Sequence, residues 1–169
     1  MRLNEPTKRL YECARTGDLA KATAAISAGA DINASNELQS APLHVAVFNG
    51  HIDIARLLID KGAKVDPRNK HNATPLHWAA SRGRIDIARL LIEGGADPNA
   101  RDDSRYMPLD YALQARSSDL ITLLQPTVDA PAKHAERIPQ PRKSEQHDPS
   151  KQGRHQSPRR EDQDLAHSR

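Results

Sequence analysis

The stretch "TPLHWAASRGRIDIARLLIEGGADPNA", residues 74–100, decides the fold, because nearly the same stretch stands 33 residues earlier. There, residues 41–67 read "APLHVAVFNGHIDIARLLIDKGAKVDP". Aligned without a gap, residues 40–72 and 73–105 are identical at 16 of 33 positions. Identity of this extent at a fixed spacing is typical of a protein built from internal repeats.

Each repeat reads as two short helices joined by tight turns. Thr74 is expected to cap the first helix through its hydroxyl, and Pro75 occupies the first helical position, where its missing N–H costs nothing. The second helix is predicted over about residues 85–93. It is apolar on more than one side, so other parts of the protein must cover it on two sides. Gly83 and Gly95 can end the two helices. Because one such pair cannot bury its own apolar surface, the sequence predicts a stack of pairs.

The segments "TPLHWAA" and "IARLLIEGGADPNA", recurring at a 33-residue step, resemble the ankyrin repeat, whose pattern includes T-P-L-H-x-A. The resemblance implies an all-α solenoid of stacked helix-turn-helix units, joined by short hairpin-like loops, across residues 1–125. Four units are expected, at roughly residues 6–38, 39–71, 72–104 and 105–125. The outer two match less well, as terminal capping repeats should.

Two departures from the family pattern carry expectations about stability. Ala41 and Met107 occupy the position of Thr74, so two helices are expected to lose their side-chain cap, at about 0.5–2 kcal/mol each. The glycine that the family usually has in its hairpins is replaced at three positions: Gln39, Asn72 and Arg105. Asn tolerates positive φ better than Gln or Arg, so distortion is expected in the hairpins that enter the second and fourth units.

Residues 126–169 differ in character from the rest of the chain. They hold six of the twelve prolines and no aromatic residue, so they cannot bury enough apolar surface to order themselves. We predict a disordered tail. Its "SPRR" at 157–160 fits a proline-directed phosphorylation context at Ser157 or a fragment of a basic localisation signal, and both matches are short. Its four histidines lack metal-ligand spacing.

The overall charge is nearly balanced, with 25 Lys and Arg against 22 Asp and Glu. The balance holds in both parts, 16 against 15 in residues 1–125 and 9 against 7 in residues 126–169. This argues against a dedicated nucleic-acid binder. One cysteine, no signal-peptide pattern and no apolar run of about 20 residues favour a cytoplasmic protein without a membrane span, monomeric on its own. Export without an N-terminal signal stays open.

The chemically reactive residues have structural interpretations. His44 and His77 recur at the repeat period, and the resemblance implies that each hydrogen-bonds the turn of its repeat. The aspartates at 53, 86 and 119 stand near helix starts, where the helix dipole explains them. Cys13 aligns with alanines of the middle repeats and is expected to be buried. The sequence thus predicts no enzyme activity, no cofactor and no metal.

The resemblance also implies a binding surface, because partners of this family are usually bound by hairpin tips and the exposed side of the first helices, which form a concave face. Those positions here are Glu37, Leu38, Ser40, Phe48, Asn49, Lys70, His71, Ala73, Ser81, Arg82, Asp103, Ser104, Tyr106, Gln114 and Ala115. Phe48 is the most informative, since its register holds only polar residues in the other units: Arg15, Ser81 and Gln114. An aromatic side chain flanked by polar groups is typical of an interface anchor.

Two function classes follow from the sequence. The first is a non-enzymatic module that binds a protein partner of unknown identity through the concave face. The alternative is an adaptor or host-directed effector whose C-terminal tail carries a second activity. Nucleic-acid association through the tail is a weaker third, given its balanced charge.

Overall fold

The computed structural model describes residues 3–125, and every regular element within that range is an α helix. The helices form four consecutive pairs, as the all-α prediction requires. Their bounds are α1 (Glu5–Thr16), α2 (Leu19–Ser27), α3 (Pro42–Asn49), α4 (Ile52–Asp60), α5 (Pro75–Ser81), α6 (Ile85–Glu93), α7 (Pro108–Gln114) and α8 (Ser118–Leu124). The span predicted for α6 is confirmed. The predicted disordered tail, residues 126–169, lies outside the described residues.

Neighbouring units pack through two layers of helices, and each layer buries both large and small side chains. The first helices bury leucines such as Leu43 beside alanines such as Ala46, and the second helices do the same with Leu58 and Ala55. Neighbouring first helices contact each other more extensively than neighbouring second helices do. Because the layer in closer contact lies on the inside of a bend, we expect the first helices on the concave side of the stack, and the resemblance implies the same side for the hairpins.

The first helices are not capped in the way that Thr74 suggested. The Thr74 hydroxyl lies 2.9 Å from Nδ1 of His77 and makes no capping bond to the helix backbone. Instead, the Thr74 N–H donates to Nδ1 of His77, the third helical residue, at 3.1 Å. The same bond recurs in the flanking units, from Ala41 to His44 Nδ1 at 3.1 Å and from Met107 to Asp110 Oδ2 at 2.7 Å. Ala41 and Met107 provide no side-chain cap, as expected, but Thr74 provides none either, so the expected loss of stability relative to the helix that begins after Thr74 is wrong.

The hairpins share one geometry despite their different residues. Positive φ angles occur at the three positions where the family has glycine: Gln39 (54°), Asn72 (58°) and Arg105 (65°). Each of these residues donates its N–H, at 2.9 Å, to the carbonyl oxygen of the residue three positions earlier: Asn36, Asn69 and Asp102. The side-chain oxygens of those earlier residues each accept two further backbone N–H groups. The expected distortion of the outer hairpins is therefore wrong, since the Asn and Asp side chains impose the same turn in all three.

The longest helix of this part of the chain, α1, has 12 residues. Among residues 3–125, no helix combines the length and the apolar character that crossing a membrane requires.

Candidate protein-interaction surface

Aromatic side chains are concentrated on the first helices and the hairpins. The chain has five aromatic residues, and four of them belong to the first helices and hairpins of units two to four: Phe48, Trp78, Tyr106 and Tyr111. We call these four residues the aromatic strip. The rings of Phe48 and Trp78 meet edge to face with centroids 5.2 Å apart, and those of Tyr106 and Tyr111 do so at 6.0 Å. Such contacts hold neighbouring rings in fixed orientations.

Phe48 is an exposed member of the strip whose ring contacts two residues of the next unit. Its side chain is 37% exposed, and Trp78 packs against it from the next unit. The guanidinium carbon of Arg82 lies 4.0 Å from the centre of the Phe48 ring, which is a cation–π contact. The ring is thus held by two residues of another unit while part of it faces solvent.

A cavity of about 250 Å³ lies beside the strip, where α5 and α7 meet the hairpins of the third and fourth units. Trp78 and Tyr111 contribute aromatic walls, and Asp102 and Asp103 contribute carboxylates. The Tyr111 hydroxyl donates to Oδ2 of Asp102 at 2.6 Å. Oδ1 of Asp102 accepts the backbone N–H groups of Ser104 and Tyr106 at 2.9 and 3.0 Å. Both carboxylate oxygens of Asp102 therefore serve to hold the cavity wall.

Burial and hydrogen bonding fix the charges around this cavity. Burial acts to raise the pKa of the Asp102 carboxyl, but the bonds from Tyr111, Tyr106 and Ser104 outweigh it, so the pKa is lowered and the group is ionised at neutral pH. Burial, followed by the bond to Asp102, raises the pKa of Tyr111 to about 12. Burial lowers the pKa of His77, which is therefore neutral at neutral pH.

Most of the residues carried over from the family pattern are exposed. They are Glu37, Leu38, Phe48, Lys70, His71, Ser81, Arg82, Asp103, Ser104, Tyr106, Gln114 and Ala115. Asn49 is half-buried, and its side-chain amide donates to the Val45 carbonyl oxygen at 2.8 Å.

Ser40 and Ala73 are corrections to the predicted set. They are only 9% and 8% exposed. Each is the residue that closes a hairpin, and its carbonyl oxygen accepts a bond from the helix behind it, from the Tyr11 hydroxyl for Ser40 and from the His44 ring for Ala73. Neither residue is an exposed tip of its hairpin, and Ala73 is accessible only where it lines the cavity.

Sequence reasoning missed Tyr111, which lines the cavity. Its signal was available, because Tyr111 stands 33 residues after Trp78 and so occupies the same register of the first helix. The same register in the second unit is Val45, which is half-buried. A search limited to polar residues would not have found this register, because it holds Val45, Trp78 and Tyr111.

The reactive residues are engaged in structural roles. His44 and His77 use both ring nitrogens in hydrogen bonds to the backbone, as the resemblance implied. Cys13 is buried, and burial raises the pKa of its thiol, which stays protonated at neutral pH. Within residues 3–125, no three His, Cys, Asp or Glu side chains lie close enough together to hold a metal ion.

A family model described as ankyrin repeats in three copies matches residues 10–102, more than half of the chain. The chain belongs to the ankyrin-repeat family. No curated protein matches its sequence. Ankyrin repeats generally serve as protein–protein interaction modules, and their fold is typically non-enzymatic. Stacked repeats of this kind bind through extended concave surfaces.

Proposed function

We propose that this ankyrin array is a non-enzymatic module that docks one protein partner on its concave face, with the aromatic strip at the centre of the contact. The observation that carries the proposal is the gathering of four of the five aromatic residues there, with Phe48 37% and Tyr106 47% exposed. Aromatic residues are enriched at the energetic centres of protein interfaces. The core does not require Phe48, because its register is polar in the other units.

The hairpins support this proposal because they are fixed to one another before any partner arrives. The Lys70 N–H donates to the Leu38 carbonyl oxygen of the preceding hairpin at 3.1 Å. The Asp103 N–H donates to the His71 carbonyl oxygen in the same way, also at 3.1 Å. A surface that is already ordered loses little conformational entropy on binding, so more of the contact energy appears as affinity.

Charged side chains of both signs surround the strip and would select the partner. Glu37, Lys70 and Asp103 are exposed on the hairpins, and Arg82 is exposed at the C-cap of α5. Charges at the rim of an interface contribute to the association rate and to discrimination between partners more than to affinity.

The test starts with partner capture from a lysate of the source cells, using the full-length chain as bait and mass spectrometry as readout. The affinity of each recovered protein is then measured for Phe48→Ala and for Leu19→Ala. Leu19 is a matched control, because it is 42% exposed and belongs to α2, a second helix away from the concave face. We expect Phe48→Ala to weaken binding by about 2 kcal/mol, and Leu19→Ala to leave it nearly unchanged.

Unchanged affinity in Phe48→Ala and in Arg82→Ala, with the fold intact by circular dichroism, would show that the concave-face assignment is wrong. Repeating the capture with residues 1–125 separates the two function classes. Retention of the same partner by both baits places the binding in the array, whereas retention by the full-length chain alone assigns it to residues 126–169.

A further inference from the structure

The cavity between the third and fourth units combines aromatic walls with negative charge. Trp78 and Tyr111 line it, together with Asp102 and Asp103. Among residues 3–125, those that line the cavity include no lysine and no arginine. At about 250 Å³, the cavity is smaller than a usual cofactor pocket and suits a single side chain.

The two carboxylates differ in how many of their oxygens already accept hydrogen bonds within the fold. Asp102 is buried, and both of its oxygens accept hydrogen bonds within the fold. Asp103 is exposed, and its Oδ1 accepts a bond from the Asn72 side-chain amide at 3.0 Å. No bond to Oδ2 of Asp103 comes from the part of the chain that the structure describes. Asp103 can therefore accept a bond from a partner without losing the contact that orients it.

We propose that this cavity receives a lysine or arginine side chain of the partner protein. The aliphatic stem would lie against the Trp78 and Tyr111 rings, and the cationic head would meet the aromatic π systems and Oδ2 of Asp103. The inference rests on the proposed function and adds the chemistry of one contact to it.

Other side chains fit this cavity less well. An acidic side chain would bring a third carboxylate close to those of Asp102 and Asp103. An apolar side chain would remove Asp103 from water and leave its charge without a partner, which is costly. Arg82, the C-cap residue of the helix that holds Trp78, already has its guanidinium over the Phe48 ring. A cation from the partner is the occupant that satisfies both the rings and the carboxylate.

The single tryptophan of the chain allows a direct test. One indole N–H resonance in the NMR spectrum of the full-length protein reports on the wall of the cavity. The protein is titrated with capped tripeptides that carry lysine, arginine, norleucine or glutamate between two glycines. We expect the lysine and arginine peptides to shift the indole resonance in a saturable way, and the norleucine and glutamate peptides to leave it in place.

Substitution of Asp103 tests the charged part of the inference. Asp103→Asn keeps an oxygen for the Asn72 amide and removes the charge, whereas Asp60→Asn removes an exposed charge on α4, away from the cavity. The lysine peptide is expected to bind about twofold to fivefold more weakly to Asp103→Asn, as loss of an exposed charge contact implies, and with unchanged affinity to Asp60→Asn. A norleucine peptide that binds as well as lysine, or equal lysine affinity in Asp103→Asn and the wild type, would overturn the inference.

The two proposals fail separately. If the lysine peptide does not bind while Phe48→Ala still weakens the captured partner, the concave face is the interface but the cavity does not take a cation. If the lysine peptide binds while Phe48→Ala has no effect on the partner, the cavity chemistry stands and the proposed docking surface is wrong.

Discussion

The ring of His44 donates a hydrogen bond from Nε2 to the carbonyl oxygen of Ala73, 3.0 Å away in the next unit. The tautomer follows from the other nitrogen, because Nδ1 accepts the N–H of Ala41 at 3.1 Å and so carries no proton. His77 repeats the arrangement with the Tyr106 carbonyl oxygen at 3.1 Å. One side chain thus caps its own helix and ties its unit to the hairpin of the next.

The first and last units vary this arrangement in ways that their sequences explain. Tyr11 occupies the register of His44, and its hydroxyl donates to the Ser40 carbonyl oxygen at 2.6 Å. Asp110 occupies the same register in the fourth unit and accepts the Met107 N–H. A carboxylate oxygen accepts hydrogen bonds and does not donate them. Within residues 3–125 no fifth unit follows, so Asp110 completes the cap without an onward bond.

Replacement of His44 should destabilise the array. In His44→Leu, the buried Ala41 N–H loses its acceptor, while the Ala73 carbonyl oxygen keeps only the bond from Asn69. An unpaired buried group costs about 1–3 kcal/mol, and we expect a loss of that size in the free energy of unfolding, measured with urea. His71→Leu is the control, because His71 is exposed, and it should change stability by less than about 0.5 kcal/mol. Equal losses in the two variants would contradict the role given to His44.

The same histidines should make stability depend on pH. Burial lowers the pKa of His44 and of His77 below the ordinary value of about 6.5. The unfolded chain therefore binds protons more readily than the folded protein once the pH falls below about 6.5. Stability should be complete above that pH and decrease as the pH falls through it toward the folded-state pKa values. Urea unfolding at several pH values should show a shallower decrease in His44→Leu than in the wild type, and parallel profiles would argue against this origin.

Asp66 should be a position where removing a charge stabilises the fold. Burial raises the pKa of its carboxyl, and within the described part of the chain its buried Oδ1 has no hydrogen-bond partner. Its Oδ2 accepts the Asp97 N–H at 2.8 Å, and Asn33, one repeat earlier, makes the same bond to the Lys64 N–H. Asp66→Asn keeps this acceptor, so we expect a gain of up to about 1 kcal/mol at neutral pH.

The pH profile checks the origin of that gain. Because the folded-state pKa of Asp66 is raised, its cost is absent well below the ordinary aspartate pKa of about 3.9 and grows as the pH rises above it. The difference in the free energy of unfolding between Asp66→Asn and the wild type should grow in the same direction. Asp60→Asn, at an exposed site, is the control for the loss of one negative charge. An advantage that is constant with pH would point to a cause other than charge burial.

Glycine should relieve strain in the hairpin that enters the second unit. Gln39 has φ of 54°, a left-handed conformation that costs a side chain about 1 kcal/mol, and only glycine adopts it freely. We expect Gln39→Gly to raise the free energy of unfolding by about 0.5 kcal/mol, since the added freedom of the unfolded chain offsets part of the relief. Asn72→Gly is the comparison, because Asn tolerates this region and its amide donates to Asp103. Asn72→Gly should be neutral or destabilising. An equal gain in the free energy of unfolding at both positions would show that the side chain at this left-handed position does not affect stability.

Much of the fold could be predicted from the sequence because it follows from a local pattern repeated in phase. Both ends of α6 could be predicted, because the proline, the glycines and the apolar spacing that define the helices all lie within one unit. The capping of the first helices could not, because Thr74 has the chemistry of a cap, yet its hydroxyl lies against the His77 ring and makes no bond to the helix backbone. Which group the hydroxyl meets is decided by the geometry of the turn.

The candidate surface was predicted less completely, for a related reason. The family pattern assigns residues to the concave face by register, and it placed Ser40 and Ala73 there although the hairpin backbone buries them. It missed Tyr111, whose contribution depends on Trp78 of the neighbouring unit and on the carboxylates of the hairpin between them.

The sequence by itself determined the repeat length, the helix pairs and their stacking order, because each is imposed by contacts that recur every 33 residues. The tertiary structure decided which side chains meet across units: Phe48 with Trp78 and Arg82, and Tyr111 with Asp102. The physical reason is distance along the chain. Periodicity fixes the register of each residue within its unit, whereas contacts between units depend on how the side chains of neighbouring units pack against one another.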